Sequence, residues 1–220
     1  MKVNYNHLSP NFDSRQGYRI DMLVLHYTGM ESGEAAISRL CDETSKVSAH
    51  YVVGLDGGVY GLVDESMRAW HAGVSSWREN TNINQRSIGI EIVNKGHDLG
   101  YTNFPQPQME SVIILCESIL KRHRIPARNV VGHSDIAPTR KQDPGELFNW
   151  ELLASRKIGL FPELKTTKQL DEEALKDYGY DTTDIEKSII AFQRHFRPHK
   201  LSGVWDDECG KLLAALLAMV

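Results

Sequence analysis

Met22-Leu23-Val24-Leu25-His26-Tyr27-Thr28 is an apolar run that closes on an imidazole. A short run of this kind, rich in branched side chains, reads as a buried strand spanning residues 21–27. Open α/β sheets build their sites at the carboxyl ends of such strands. The run therefore predicts a sheet and also a place on it for chemistry, with His26 at the delivery point.

A second stretch repeats the design. Asn129-Val130-Val131-Gly132 reads as a short strand leading into His133. From there His133-Ser134-Asp135-Ile136-Ala137-Pro138-Thr139-Arg140-Lys141-Gln142-Asp143-Pro144-Gly145 brings an imidazole, a cation and a carboxylate close together in the chain. Pro138 and Pro144 restrict the path between them, and Gly145 permits backbone geometry that other residues resist. Two histidines and one carboxylate form a ligand set for catalytic zinc that leaves a fourth position for water. Water on such a metal can act as hydroxide near neutral pH. His26, His133 and Asp143 are thus candidate ligands of a hydrolase. The plainer alternative is a hydrogen-bonded core histidine at 26 and a turn residue before proline at 143.

Between these stretches, Ser32 or Gly33 is placed to cap a helix over residues 34–42. Ala49-His50-Tyr51-Val52-Val53-Gly54 and Val59-Tyr60-Gly61-Leu62-Val63 flank Leu55-Asp56-Gly57-Gly58, the signature of a β-hairpin. Residues 70–86 read as a long loop, a length that in a small domain usually serves a site. Ser87-Ile88-Gly89-Ile90-Glu91-Ile92-Val93-Asn94 reads as a strand with apolar residues on both parities and Glu91 in its middle. Residues 106–123 form an amphipathic helix carrying Met109, Val112, Ile113, Cys116, Ile119 and Leu120 at helical spacing, and residues 148–158 form another. After the polar linker 165–168, helices are predicted over 171–178, 184–196 and 206–219, each near an Asp or Thr suited to N-capping. This second unit is expected to pack on its own apolar faces.

Glu91 is costly to bury unless it is paired or functional. A desolvated Glu has a raised pKa and can move a proton between water and a leaving amine. Lys141 lies two residues before Asp143, placed to steady an oxyanion; a solvated surface lysine is the alternative. Trp70, His71 and Ala72 are candidates to line a groove and touch substrate. His50 is read as structural, and His7, His97, His123, His195 and His199 as surface residues.

The net charge of −4 offers no basic footprint for nucleic acid. No apolar run approaches a bilayer-spanning length, and residues 1–18 carry no apolar signal core. Cys41, Cys116 and Cys209 are too few and too scattered for a disulfide framework. These features favour a cytoplasmic chain, the alternative being a periplasmic or outer-membrane-anchored one whose signal has been removed.

Taken in order, Leu25-His26-Tyr27-Thr28, Ser48-Ala49-His50-Tyr51, Trp70-His71-Ala72-Gly73, Ser87-Ile88-Gly89-Ile90-Glu91 and the stretch from His133 to Gly145 resemble the zinc-dependent N-acetylmuramoyl-L-alanine amidases of bacterial cell-wall turnover, the type 2 amidase family. The resemblance covers about residues 20–150. It implies one zinc on His26, His133 and Asp143, catalytic roles for Glu91 and Lys141, and a mixed β-sheet flanked by helices. Some relatives carry a catalytic Tyr before the hairpin histidine; here that position is Ala49, which points to the branch that uses a Glu. The C-terminal segment, with Ile189-Ile190-Ala191-Phe192-Gln193-Arg194-His195-Phe196 and Leu201-Ser202-Gly203-Val204-Trp205-Asp206, is similar to a three-helix peptidoglycan-binding module. The combination most resembles AmiD-type amidases. It implies an α/β catalytic domain over residues 1–163, an all-α domain over 164–220, a monomer, and a peptidoglycan or muropeptide substrate, including 1,6-anhydro forms.

Overall fold

The computed structural model describes residues 2–220. Its strands are β1 (Val3–Asn4), β2 (Phe12–Ser14), β3 (Met22–Tyr27), β4 (Tyr51–Val53), β5 (Val59–Gly61), β6 (Met67–Ala69), β7 (Ser87–Ile92) and β8 (Val130–Gly132). Six of them form a mixed sheet in the order β1-β5-β4-β7-β3-β8; β2 and β6 pair separately as a short antiparallel ribbon. β4, β7, β3 and β8 run parallel, while the predicted hairpin supplies the antiparallel β4–β5 pair. The α/β architecture read from the sequence is thus present, with the long apolar run near the middle of the sheet.

The helices are α1 (Gly33–Cys41), α2 (Ile83–Arg86), α3 (Gly96–Leu99), α4 (Gln106–Arg122), α5 (His133–Ile136), α6 (Trp150–Ser155), α7 (Leu175–Tyr178), α8 (Ile185–Phe196) and α9 (Asp207–Leu217). Ser32 caps α1, its Oγ accepting from the Ala35 N–H at 3.1 Å. Asp184 and Asp206 cap α8 and α9 in the same way. Among the described residues, no helix is long and apolar enough to cross a membrane.

Side-chain alternation divides the central strands between two cores. Leu23 and Leu25 of β3, with Ile88, Ile90 and Ile92 of β7, face α4 and pack on Met109, Val112, Cys116 and Ile119. Gln108 ties α4 down, its Nε2 donating to Val53 O at 3.1 Å and Val93 O at 2.9 Å. On the other face Met22 and Val24 join Trp77, Val131 and Ile136 in a second apolar cluster.

Four sequence expectations change. β7 stops at Ile92, so Val93 lies outside the alternation and Ser87, Gly89 and Glu91 share one face. The stretch 70–86 is not all loop, because it ends in α2. β2 and β6 were not predicted, since three-residue strands reading Phe-Asp-Ser and Met-Arg-Ala carry no apolar alternation. Finally, the C-terminal helices do not pack only on one another. Leu175, Tyr178, Tyr180, Ile189, Phe192 and Phe196 belong to the same cluster as Met22, Val24 and Val131. That unit therefore closes the second face of the sheet, and α8 is buried continuously over residues 191–196.

Candidate metal centre and catalytic groove

Because β3, β7 and β8 are parallel, their carboxyl ends meet at one edge of the sheet. His26 stands one residue from the end of β3, directly beside Glu91 of β7 in the strand register. His133 follows β8 at once and opens α5. Asp143 returns to it through a loop closed by the Ser134 N–H donating to Asp143 O at 2.9 Å. Three sequence-distant donors thus converge: His26 Nδ1 to His133 Nδ1 is 2.9 Å, His26 Nδ1 to Asp143 Oδ2 is 3.1 Å, and His133 Nδ1 to Asp143 Oδ2 is 3.0 Å. All three residues are buried.

This triangle fits a metal ion. Tetrahedral coordination at about 2.0–2.1 Å sets neighbouring ligand atoms about 3.3 Å apart. The chemistry agrees. His133 Nε2 lies 3.0 Å from Ala72 O. A carbonyl only accepts, so the Nε2 of a neutral His133 carries the proton and its Nδ1 presents a lone pair to the triangle. Charges run the same way. Burial, then the neighbouring His133, pushes the His26 pKa down to about 4. Burial acts to raise the Asp143 pKa, but His133 and His26 outweigh it and hold the carboxyl well below the usual range. The centre thus sets a neutral His26 beside an ionised Asp143.

An open groove of about 360 Å³ gives access to it, lined by Glu91, Lys141 and Asp143 together with Trp70 and His71. Glu91 is half-buried as a residue, yet its Oε2 is sealed from solvent and has no hydrogen-bond partner among the described residues. Burial, then the charge of Asp143, raises its pKa well above the carboxylate norm, with Lys141 opposing. Trp70 is half-buried on the groove wall. His71 and Ala72 are buried and turned inward, His71 Nδ1 lying 3.0 Å from His26 Nε2.

The other histidines divide. His7 and His199 are exposed, as read. His50 is fully buried, its Nδ1 accepting from the Gly89 N–H at 3.0 Å, and burial beside Arg15 lowers its pKa to about 3. Three assignments to the surface are corrected. His97 bridges the Tyr27 hydroxyl at 3.0 Å and Glu146 at 3.1 Å. His123 pairs with Glu65 at 2.7 Å. His195 is 4% exposed, lies 2.7 Å from Asp135 Oδ2 and stacks on Trp150 at a centroid distance of 3.8 Å. Spacing had no means of finding these, because each partner comes from a remote segment.

A family model described as N-acetylmuramoyl-L-alanine amidase matches residues 16–146. The chain belongs to this amidase family. The matched span holds His26, Glu91, His133, Lys141 and Asp143. Among amidases of the family, AmiD of Escherichia coli (strain K12) is 36% identical over 231 residues, covering 90% of this chain and 83% of that protein. AmpD of Citrobacter freundii is 34% identical over 161 residues, covering 64% of this chain and 83% of that protein. The solved complex of E. coli AmiD with anhydro-N-acetylmuramic acid-L-Ala-D-gamma-Glu-L-Lys superposes with a TM-score of 0.82 at 33% identity, covering 95% of this chain and 98% of that one. AmpDH3 of Pseudomonas aeruginosa superposes with a TM-score of 0.82 at 31% identity, covering 100% of this chain and 98% of that one.

Proposed function

We infer that this amidase hydrolyses the amide between N-acetylmuramic acid, including its 1,6-anhydro form, and the L-alanine of the stem peptide, in peptidoglycan turnover, and that it does so with one zinc ion per chain. The observation that carries the reading is the triangle of His26 Nδ1, His133 Nδ1 and Asp143 Oδ2 beside the unpartnered Glu91 carboxyl. The likeness to AmiD, solved with a muropeptide bound, supports the substrate class.

His26, His133 and Asp143 would hold the ion. When bound, zinc supplies a Lewis acid for the scissile carbonyl and lowers the pKa of the attacking water. Glu91, with no competing donor on Oε2, takes the proton from that water and passes it to the departing amine. A raised pKa suits both halves of that transfer. Lys141 places a cation in the same groove to stabilise the tetrahedral oxyanion. Trp70 forms part of the substrate-facing wall.

The C-terminal unit is assigned a supporting role. Its likeness to a glycan-binding module rests on the Phe192-Gln193 helix and the Gly203 turn that follows; here Gln193 is 0% exposed and ties the two together. Its Oε1 accepts from the Ser202 and Gly203 N–H groups, and its Nε2 donates to Val204 O. Meanwhile the Tyr180 hydroxyl donates to Asp135 Oδ1 at 2.7 Å and His195 meets Oδ2, bracing the helix that begins at His133.

The test is mass-spectrometric detection of free stem peptide from anhydro-muropeptide. Release is expected to stop on chelation and to return with zinc. Activity that survives complete metal removal refutes the zinc reading.

A further inference from the structure

The backs of both imidazoles are held by a single tetrapeptide. His133 Nε2 donates to Ala72 O at 3.0 Å, and His26 Nε2 faces His71 Nδ1 at 3.0 Å. The direction of the second bond can be traced through the network. The Ser87 hydroxyl has one proton and donates it to Ile83 O at 2.7 Å. It can therefore only accept from His71 Nε2, 2.9 Å away. His71 then carries its proton on Nε2 and offers a lone pair on Nδ1, so His26 donates from Nε2 and keeps Nδ1 bare. Both candidate ligands are thereby set to the tautomer that presents Nδ1 to the metal.

The tetrapeptide is itself anchored. Ala72 N–H donates to Asn84 Oδ1 at 2.9 Å, and Trp70 N–H donates to Ser48 Oγ at 2.9 Å. β7 is shaped to receive the His71 ring. A Cβ on Gly89 would lie 2.4 Å from His71 Cγ, a distance no real contact allows. Glycine inside a strand marks this kind of close approach.

We propose that Trp70–Gly73 is a positioning clamp for the metal centre, with His71, seated on Ser87 and Gly89, fixing the tautomer and orientation of His26, and the Ala72 carbonyl doing the same for His133. This rests on the metal-hydrolase reading above. It gives His71 and Ala72 a task other than substrate contact. Partners behind a ligating histidine typically change metal affinity about 10- to 100-fold when removed.

The experiment compares zinc affinity, by competition with a chromophoric chelator, in the unsubstituted protein, His71→Leu and His71→Asn. Asn places an amide oxygen near the position of Nδ1 and keeps the acceptor; Leu fills space without one. Leu is expected to weaken zinc about 10- to 100-fold and Asn to recover most of that loss. Nitrogen-15 NMR of the imidazoles in the zinc-free and zinc-loaded protein reads the tautomers directly, with His71 and His133 expected as Nε2–H forms. Unchanged affinity in His71→Leu, equal losses in Leu and Asn, or His71 found as the Nδ1–H form each overturns the clamp. If the unsubstituted protein binds no zinc, the metal reading fails and takes the clamp with it. Should Leu unfold the protein, the NMR assignment on the unsubstituted chain still decides.

Discussion

Two carboxylates on opposite sides of the sheet are treated in opposite ways. Glu65, near the end of the α4 face, accepts from the Tyr51 hydroxyl at 2.7 Å, Arg122 at 2.6 Å and His123 at 2.7 Å. Burial acts to raise its pKa, but these three donors lower it to about 2. Glu91, on the other face beside His26, has an Oε2 that meets no donor among the described residues, and burial drives its pKa up. Leaving a buried polar atom unpaired costs about 1–3 kcal/mol. Among the described residues Glu65 has three partners and Glu91 Oε2 has none, the contrast expected if Glu91 is the group that reacts.

Glu91→Gln breaks the comparison most sharply. The amide keeps the shape and removes the base. Turnover should fall about 10²- to 10⁴-fold, the usual worth of a general base, while zinc affinity stays near that of the unsubstituted protein. Steady-state kinetics and chelator competition on the same preparation check both halves. A fully active variant removes Glu91 from the mechanism.

Ile90 and Gly89 are adjacent in β7 but face opposite ways. Ile90→Ala opens a cavity against α4 and should cost about 2–5 kcal/mol in urea unfolding, with zinc affinity of the folded fraction unchanged. Gly89→Ala does the reverse. Its new methyl collides with the His71 ring, so zinc affinity should fall about tenfold or more for a smaller loss of stability. If the two variants swap these signatures, the division of labour between the faces is wrong.

This contrast also explains what could be read in advance. β3 was legible because four consecutive apolar residues closing on a histidine and a tyrosine have few other meanings, and the convergence of His26, His133 and Asp143 because their residue types suit one ion. The face of Glu91 was harder. Taking Val93 as part of the strand hid the true pattern, in which Ser87, Gly89 and Glu91 line one side and three isoleucines the other. Gly89 was the available clue. Which nitrogen of His71 touches which neighbour is set by segments 16 and 45 residues away, and no local spacing encodes it. The docking of α8 was obscured for a related reason. His195 reads as a surface residue, yet it and its neighbour Arg194 are buried and meet Asp135 and Glu146.

The smallest predicted effect concerns the satisfied carboxylate. The folded-state pKa of Glu65 lies below its unfolded value, so the unfolded chain takes up the proton first as pH falls. The stabilisation from its ionised form is complete above about pH 4.5 and disappears as the pH drops toward 2. Arg122 is 44% exposed, so solvent screening holds this contribution to on the order of 1 kcal/mol. Glu65→Gln should therefore be less stable than the unsubstituted protein at pH 7 by roughly that amount, and the two urea-unfolding curves should draw together on acidification through this window. A gap that stays constant from pH 7 to pH 2.5 would mean that Glu65 acts through packing and neutral hydrogen bonds alone. The two faces would then differ in shape but not in how they handle charge.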